Sequence, residues 1–175
     1  MEISLRKFCK ENYKEKIMLY FAYGSNMSIK RLTKDNRIPS AVVKTAGFIT
    51  GHILKFNKVS TDKSGKGHIE DTGNQDDSVH GVVYEIDERE KGNLHEAEGL
   101  GKGYNEKTVT VSTSEGEIRA VTYYATKIDD SLKPYTWYMN HVITGAKENN
   151  LPEDYITKLE QVDAIEDPNP ELHDI

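Results

Sequence analysis

"YFAYGSNMS", residues 20–28, decides how this chain is read. With the three residues before it, it makes "IMLYFAY", a short apolar and aromatic run of the kind that fills a buried strand. The run stops at Gly24-Ser25-Asn26, small residues that suit a tight turn. A strand that feeds such a turn has two readings. It is a plain connection to the next helix, or it is a floor with a row of backbone N–H groups aimed at a ligand. Gly24 has no side chain to obstruct a close approach. A turn or a helix start also favours an anion.

Working outward, "MSIKRLTKDNRIP" predicts a weak helix ended near Pro39, and "AVVKTAGFITGHILKFNKVS" extended chain with bends or bulges at Gly47 and Gly51. "TDKSGKGH" and "DTGNQDD" read as polar loops, and "SVHGVVYEID" as a strand. In "DEREKGNLHEAEG" Asp87 and Glu90 have the spacing of a capping box, and Gly99 supplies the stop. "GLGKGY" is a glycine-rich link. "EKTVTVST" and "EIRAVTYYAT" alternate around "SEG" and predict a hairpin. "PYTWYMNHVITGAKENN" is the best helix, with Tyr135, Tyr138, Met139, Val142, Ile143 and Ala146 on one face. "LPEDYITKLEQV" predicts another, with Tyr155, Ile156, Leu159 and Val162 on one side. Strands in the middle with helices flanking them predict an α+β fold, its sheet mostly antiparallel and curled into a small barrel. Residues 1–17 form an N-terminal extension, helical over 3–15. Residues 18–162 form the domain, and 163–175 a loosely attached acidic tail.

Composition narrows the functions. A net charge of -6, with no cluster of Lys and Arg that outweighs its acidic neighbours, argues against a nucleic-acid surface. No apolar run approaches the ~20 residues that span a bilayer. One cysteine, Cys9, excludes an internal disulfide, and no signal peptide is evident, so the expectation is a cytoplasmic protein. The six histidines do not pair at ligand spacing, and "HEAEG" carries Gly99 where a zinc protease has its second histidine. "GLGKGY" fails the spacing of phosphate loops, and Ser25 lies outside any nucleophile elbow. No metal and no cofactor are expected.

Glu98 stands apart. It lies four residues after Leu94, on a face read as pointing inward, while Glu96 lies opposite. It also falls in the last helical turn, where the dipole disfavours a carboxylate. Burial and the dipole both raise a carboxyl pKa, which makes a better base. The alternative is an exposed glutamate at a frayed helix end. Tyr138 has its ring on the apolar stripe, so its hydroxyl needs a partner, in the protein or in a ligand. Tyr104, Tyr123 and Tyr124 carry the same ambiguity, and one of the last two must face the core.

Three segments in order, "YFAYGSN" at 20–26, "EAEG" followed by glycines and Tyr104, and "GAKENNLPEDY" at 145–155, resemble the gamma-glutamylcyclotransferase family. The resemblance runs from about residue 19 to about residue 160. It implies a small mixed barrel with flanking helices. It also implies cleavage of gamma-glutamyl amino acids to 5-oxoproline and a free amino acid, without metal or cofactor. By the same resemblance Glu98 is the acid/base. Tyr20, Phe21, Ala22, Tyr23, Gly24, Ser25 and Asn26 hold the glutamyl group, and Tyr104 and Tyr138 line the pocket. The partner is then a small gamma-glutamyl substrate, with no nucleic acid and no membrane, and a homodimer is left open. Two rivals stand beside this: turnover of gamma-glutamylamines through a pocket widened by the polar segment 61–77, and a non-catalytic sensor of a small metabolite.

Overall fold

The computed structural model describes residues 16–170; the expected helix over 3–15, and Cys9 with it, lies outside them. Among the described residues seven strands and four helices follow one another. The strands are β1 (Ile17–Ala22), β2 (Val42–Thr50), β3 (His52–Val59), β4 (Gly65–Asp71), β5 (Ser78–Asp87), β6 (Tyr104–Thr113) and β7 (Gly116–Ala125). The helices are α1 (Ile29–Thr33), α2 (Lys91–Glu98), α3 (Thr136–Glu148) and α4 (Glu153–Glu160).

Five strands close a barrel in the order β1-β5-β2-β6-β7, and β3 and β4 pair beside it. Most of β5 is buried because it lies between two partners: Tyr84 faces Tyr20 on β1 and Val43 on β2. All the barrel pairings are antiparallel but one. β1 runs parallel to β7 at Tyr20 and Val121, and this contact, with Phe48 of β2 opposite Ser112 of β6, closes the ring. The expected α+β barrel with flanking helices is the architecture observed.

Successive residues of β1 alternate between two apolar clusters. Tyr20 and Ala22 join one with Tyr84, Tyr123, Tyr138 and Met139, while Phe21 and Tyr23 join the other with Val83, Ile69 and Val111. Period-two alternation of this kind is what a strand requires when both faces are covered. The apolar stripe of α3 packs on the first cluster through Tyr138, Met139, Val142 and Ala146, all buried. α4 adds Ile156 and Leu159.

Four local expectations differ from what the fold does. Gly65–His68, read as a loop, belongs to β4, which pairs with β3 from Val59 opposite Gly65 to His52 opposite Asp71. Asp62 closes that hairpin, accepting from the Ser64 amide and hydroxyl and from Lys66 Nζ at 2.8 Å. The capping box is incomplete: Asp87 accepts from the Arg89 amide, but Glu90 turns away to the amide and hydroxyl of Ser40. The helix expected from residue 27 to near Pro39 shrinks to five residues of α1 and a 3-10 turn, with Asp35 in the left-handed region at φ 51°. The tail is docked over its first residues, since Ile165 pairs with the chain at Pro134 and Thr136 and Trp137 Nε1 donates to Asp167. Among the described residues no helix is long and apolar enough to cross a membrane.

Candidate functional site

β1 leaves the barrel at Ala22 and enters the turn predicted from its sequence. Residues Ser25–Met27 form one 3-10 turn, closed by the Met27 amide donating to the Gly24 carbonyl at 3.0 Å. The first amides of such a turn have no acceptor within it. Three groups from distant parts of the chain hold the turn in place. Tyr84 Oη and Asn149 Nδ2 both donate to the Met27 carbonyl, at 2.7 and 3.2 Å. Gly145 of α3 lies so close that a Cβ there would come within 2.4 Å of the Met27 carbonyl carbon and 2.5 Å of the Ser28 nitrogen. The small residue in "GAKENN" is therefore what lets the helix backbone touch the turn.

The turn forms one wall of a small pocket of about 30 Å³ that opens to solvent. Tyr20, Tyr23, Gly24, Ser25, Asn26, Glu98, Tyr104 and Tyr138 all line it. Phe21 and Ala22 do not. Alternation along β1 buries Phe21 in the second cluster, and Ala22 packs in the first without reaching the lining. Two lining residues, Gly67 and Tyr123, were not assigned to the pocket from sequence. Tyr123 is the core-facing member of its pair, 2% exposed, and its buried hydroxyl has no partner among the described residues. Gly67 sits in the polar segment read as a loop. It is clasped by two tyrosines: its amide donates to Tyr138 Oη at 2.9 Å and its carbonyl accepts from Tyr104 Oη at 2.6 Å.

Glu98 ends α2, and Gly99 stops the helix in the left-handed conformation at φ 69°, as its sequence predicts. Leu94 is buried and Glu96 is exposed, in line with the inward face, although Ala97 is exposed too. The Glu98 carboxylate reaches into the pocket. Its Oε1 accepts from Tyr20 Oη at 2.6 Å and from Asn26 Nδ2 at 2.8 Å. Asn26 is itself oriented by Arg37, whose Nη2 donates to Asn26 Oδ1 at 3.2 Å. That bond fixes which end of the Asn26 amide faces the carboxylate.

Desolvation by the surrounding protein pushes the Glu98 pKa above its ordinary value. The Tyr20 hydroxyl, the Arg37 charge, the Asn26 amide and the Lys58 charge pull in the other direction without cancelling it. Tyr20 is itself held neutral, first by burial and then by the neighbouring carboxylate. The site therefore presents a proton acceptor of raised basicity, a neutral hydroxyl bonded to it, and a donor-bearing turn a few ångströms away. Such a set can move a proton and stabilise negative charge on a substrate oxygen. Among the described residues no three His, Cys, Asp or Glu side chains cluster in a way that could hold a metal ion.

Comparison with known proteins agrees with this arrangement. Residues 78–159 match the AIG2-like family. A gamma-glutamylcyclotransferase of Bos taurus is 35% identical over 153 residues, which cover 83% of this chain and 78% of that protein. One of Homo sapiens is 34% identical over 154 residues, covering 85% and 80%. A solved structure of a gamma-glutamyl cyclotransferase has a TM-score of 0.78 at 31% identity, over 86% of this chain and 90% of that one. Alike in sequence across most of the length of these enzymes, and alike in fold, the chain belongs to the gamma-glutamylcyclotransferase family.

Proposed function

We propose that residues 18–162 cleave gamma-glutamyl amino acids to 5-oxoproline and a free amino acid, with Glu98 as the acid/base. The reading rests on one observation above the others: a desolvated carboxylate bonded to Tyr20 and Asn26, beside the Gly24–Asn26 turn.

The chemistry asks for these groups. The substrate's α-amine attacks its own γ-carbonyl carbon, so a C–N bond forms within the ring while the amide C–N bond breaks. Holding the glutamyl chain folded turns the attack into a short intramolecular step. The amine is mostly protonated at neutral pH and must lose a proton before it can attack; Glu98 takes it. That proton then goes to the departing nitrogen, which leaves as a neutral amine rather than an anion, and the ring nitrogen sheds its remaining extra proton to solvent as the lactam forms. Negative charge gathers on the γ-carbonyl oxygen during the attack, and the turn amides suit either that oxygen or the substrate's α-carboxylate. Tyr20 forms the wall beneath and Tyr138 the wall opposite.

The gamma-glutamylamine alternative drew on a polar loop at 61–77 wide enough to enlarge the pocket. Gly65–Asp71 is paired as a strand and Gly67 is clasped between two tyrosines, which speaks against widening at that part of the segment. A chain with a single cysteine fits the reducing cytoplasm as its place of work. The test is direct: purified protein incubated with a panel of gamma-glutamyl amino acids and with gamma-glutamylamines, assayed for 5-oxoproline. The amino acid conjugates are expected to turn over. Release from the amines alone would favour the alternative, and no product from either would refute both.

A further inference from the structure

Behind the turn lies a second cavity, of about 330 Å³, lined by Lys30, Arg31, Lys34, Asp35, Arg37 and His141. It shares no lining residue with the glutamyl pocket. Lys30 and Arg31 come from α1, Lys34 and Asp35 from the 3-10 turn after it, and His141 from α3. Four cations thus meet one exposed carboxylate, in a chain whose 29 acidic residues outnumber its 23 basic ones. Such a cluster was not evident from the linear sequence, where acidic neighbours dilute it.

Pairing does not account for the four. Elsewhere the fold matches Lys44 with Glu85, Lys55 with Glu70, Lys66 with Asp62 and Lys91 with Glu106. Among the described residues Lys30, Arg31, Lys34 and Arg37 have no carboxylate within 4.0 Å. Among the described residues each guanidinium makes a single hydrogen bond, Arg31 Nε to Ser25 Oγ at 3.1 Å and Arg37 Nη2 to Asn26 Oδ1 at 3.2 Å. The other N–H groups of both forks remain for a ligand. His141 registers the resulting field: burial first, then the charges of Arg31, Lys34, Arg37 and Lys30, push its pKa down to about 4.

We propose that this cavity binds a small multivalent oxyanion of the phosphate or phosphate-ester class, held by Lys30, Lys34 and the two guanidiniums. Guanidinium forks and ammonium groups are the side chains that bind phosphate oxygens most strongly. The volume suits a small ligand, and the overall negative charge of the chain disfavours a nucleic-acid polymer. The site is wired to the catalytic pocket. Arg31 holds Ser25, and Arg37 holds Asn26, which in turn donates to Glu98. An anion gripped by both arginines restrains the turn on which the substrate rests.

Trp137 provides the readout. It is the one tryptophan of the chain, and the Arg31 guanidinium lies over its ring at 5.4 Å. The full chain is titrated with pyrophosphate, inorganic phosphate and a sugar phosphate at constant ionic strength, following Trp137 emission and confirming stoichiometry by calorimetry. Saturable binding at one site per chain is expected, and the order of affinities separates a free phosphate from an esterified one. The double variant Lys30→Ala/Lys34→Ala should bind at least tenfold more weakly, with its unfolding temperature and its 5-oxoproline release without added anion unchanged. Lys34→Glu should behave likewise and guards against a folding defect in the double variant. No saturable binding, wild-type affinity in both variants, or an equal response to chloride at matched ionic strength would overturn the proposal. Because binding is read directly, its failure is distinct from a failure to find cyclotransferase turnover.

Discussion

At Gly145 an added Cβ would lie 2.4 Å from a backbone carbon of the active-site turn, whereas at Gly99 it would meet nothing within 4 Å. Gly145 has no positive φ, and Gly99 has a φ of 69°. Both glycines belong to motifs on which the family resemblance rests, yet they answer different needs. Around the pocket the missing side chain is a distance: α3 can approach the turn only where it has no Cβ. In the link after α2 the missing side chain is a dihedral angle, a left-handed residue that stops the helix immediately after Glu98. The pocket exists where the two devices meet, because one sets the position of the turn and the other ends the helix that delivers the carboxylate to it.

Five substitutions break or sharpen that contrast. The largest effect belongs to the group between the two regions. Glu98→Gln should lower kcat for 5-oxoproline release by about 10²–10⁴-fold, the range ascribed to a positioned acid/base, with the pocket still able to bind substrate. The same variant should unfold at a higher temperature at neutral pH. The Glu98 pKa is raised in the folded state, so between the ordinary value of 4.5 and that raised value the folded chain holds a proton the unfolded one has lost. Stability therefore falls as pH rises through this window, and a neutral glutamine escapes the loss. A variant with wild-type kcat would remove Glu98 from the chemistry.

Gly145→Ala comes next. Backbone atoms cannot yield as a flexible side chain can, so overpacking should cost about 1–3 kcal/mol in urea denaturation. Product formation should also fall, because the turn is displaced. Stability equal to wild type would show that α3 and the turn are not as tightly opposed as 2.4 Å requires.

Tyr20→Phe should act more gently. Removing the hydroxyl removes one of the influences that hold the Glu98 pKa down, so the pKa rises further. The acidic limb of the kcat/KM profile should then move to higher pH, since the base works as a carboxylate; an unmoved limb would detach Tyr20 from Glu98. The smallest changes are reserved for the glycines with open space. Gly99→Ala should lose about 1–2 kcal/mol through the left-handed backbone alone. Gly92→Ala, within α2 and with nothing within 4 Å of its Cβ, should gain up to ~1 kcal/mol. Opposite signs at two uncrowded glycines, one at each end of α2, would separate dihedral from distance.

Much of this was legible along the chain. The β1 strand and its turn, the β6–β7 hairpin, the inward face of α3, the stop at Gly99 and the singular position of Glu98 follow from residues that are neighbours in sequence or one helical turn apart. β4 was not legible, because Gly65, Lys66 and Gly67 have no strand character of their own. Their order comes from β3 alongside, from Asp62 gripping Lys66, and from the rings of Trp137 and Tyr138, over which the Lys66 ammonium sits at 4.4 and 4.8 Å. Gly67 stayed hidden for the same reason. Glu90 looked like a capping residue until Ser40, 50 residues earlier, offered it a better pair of donors. Phe21 and Ala22, taken with their neighbours as one substrate-holding stretch, are instead core residues of β1.

By itself, then, the sequence determined the local devices: which segments extend, where chains turn, where α2 must end and which carboxylate is out of place. Tertiary structure alone decided what those devices face. It brought Tyr20 to Glu98 across 78 positions, set Gly145 against Met27 across more than a hundred, and gathered four cations of an acidic chain around one cavity. The reason is physical. Propensity and periodicity act over one or two turns of chain, while desolvation, steric exclusion and electrostatic field depend on whatever atoms the fold carries into the same few ångströms.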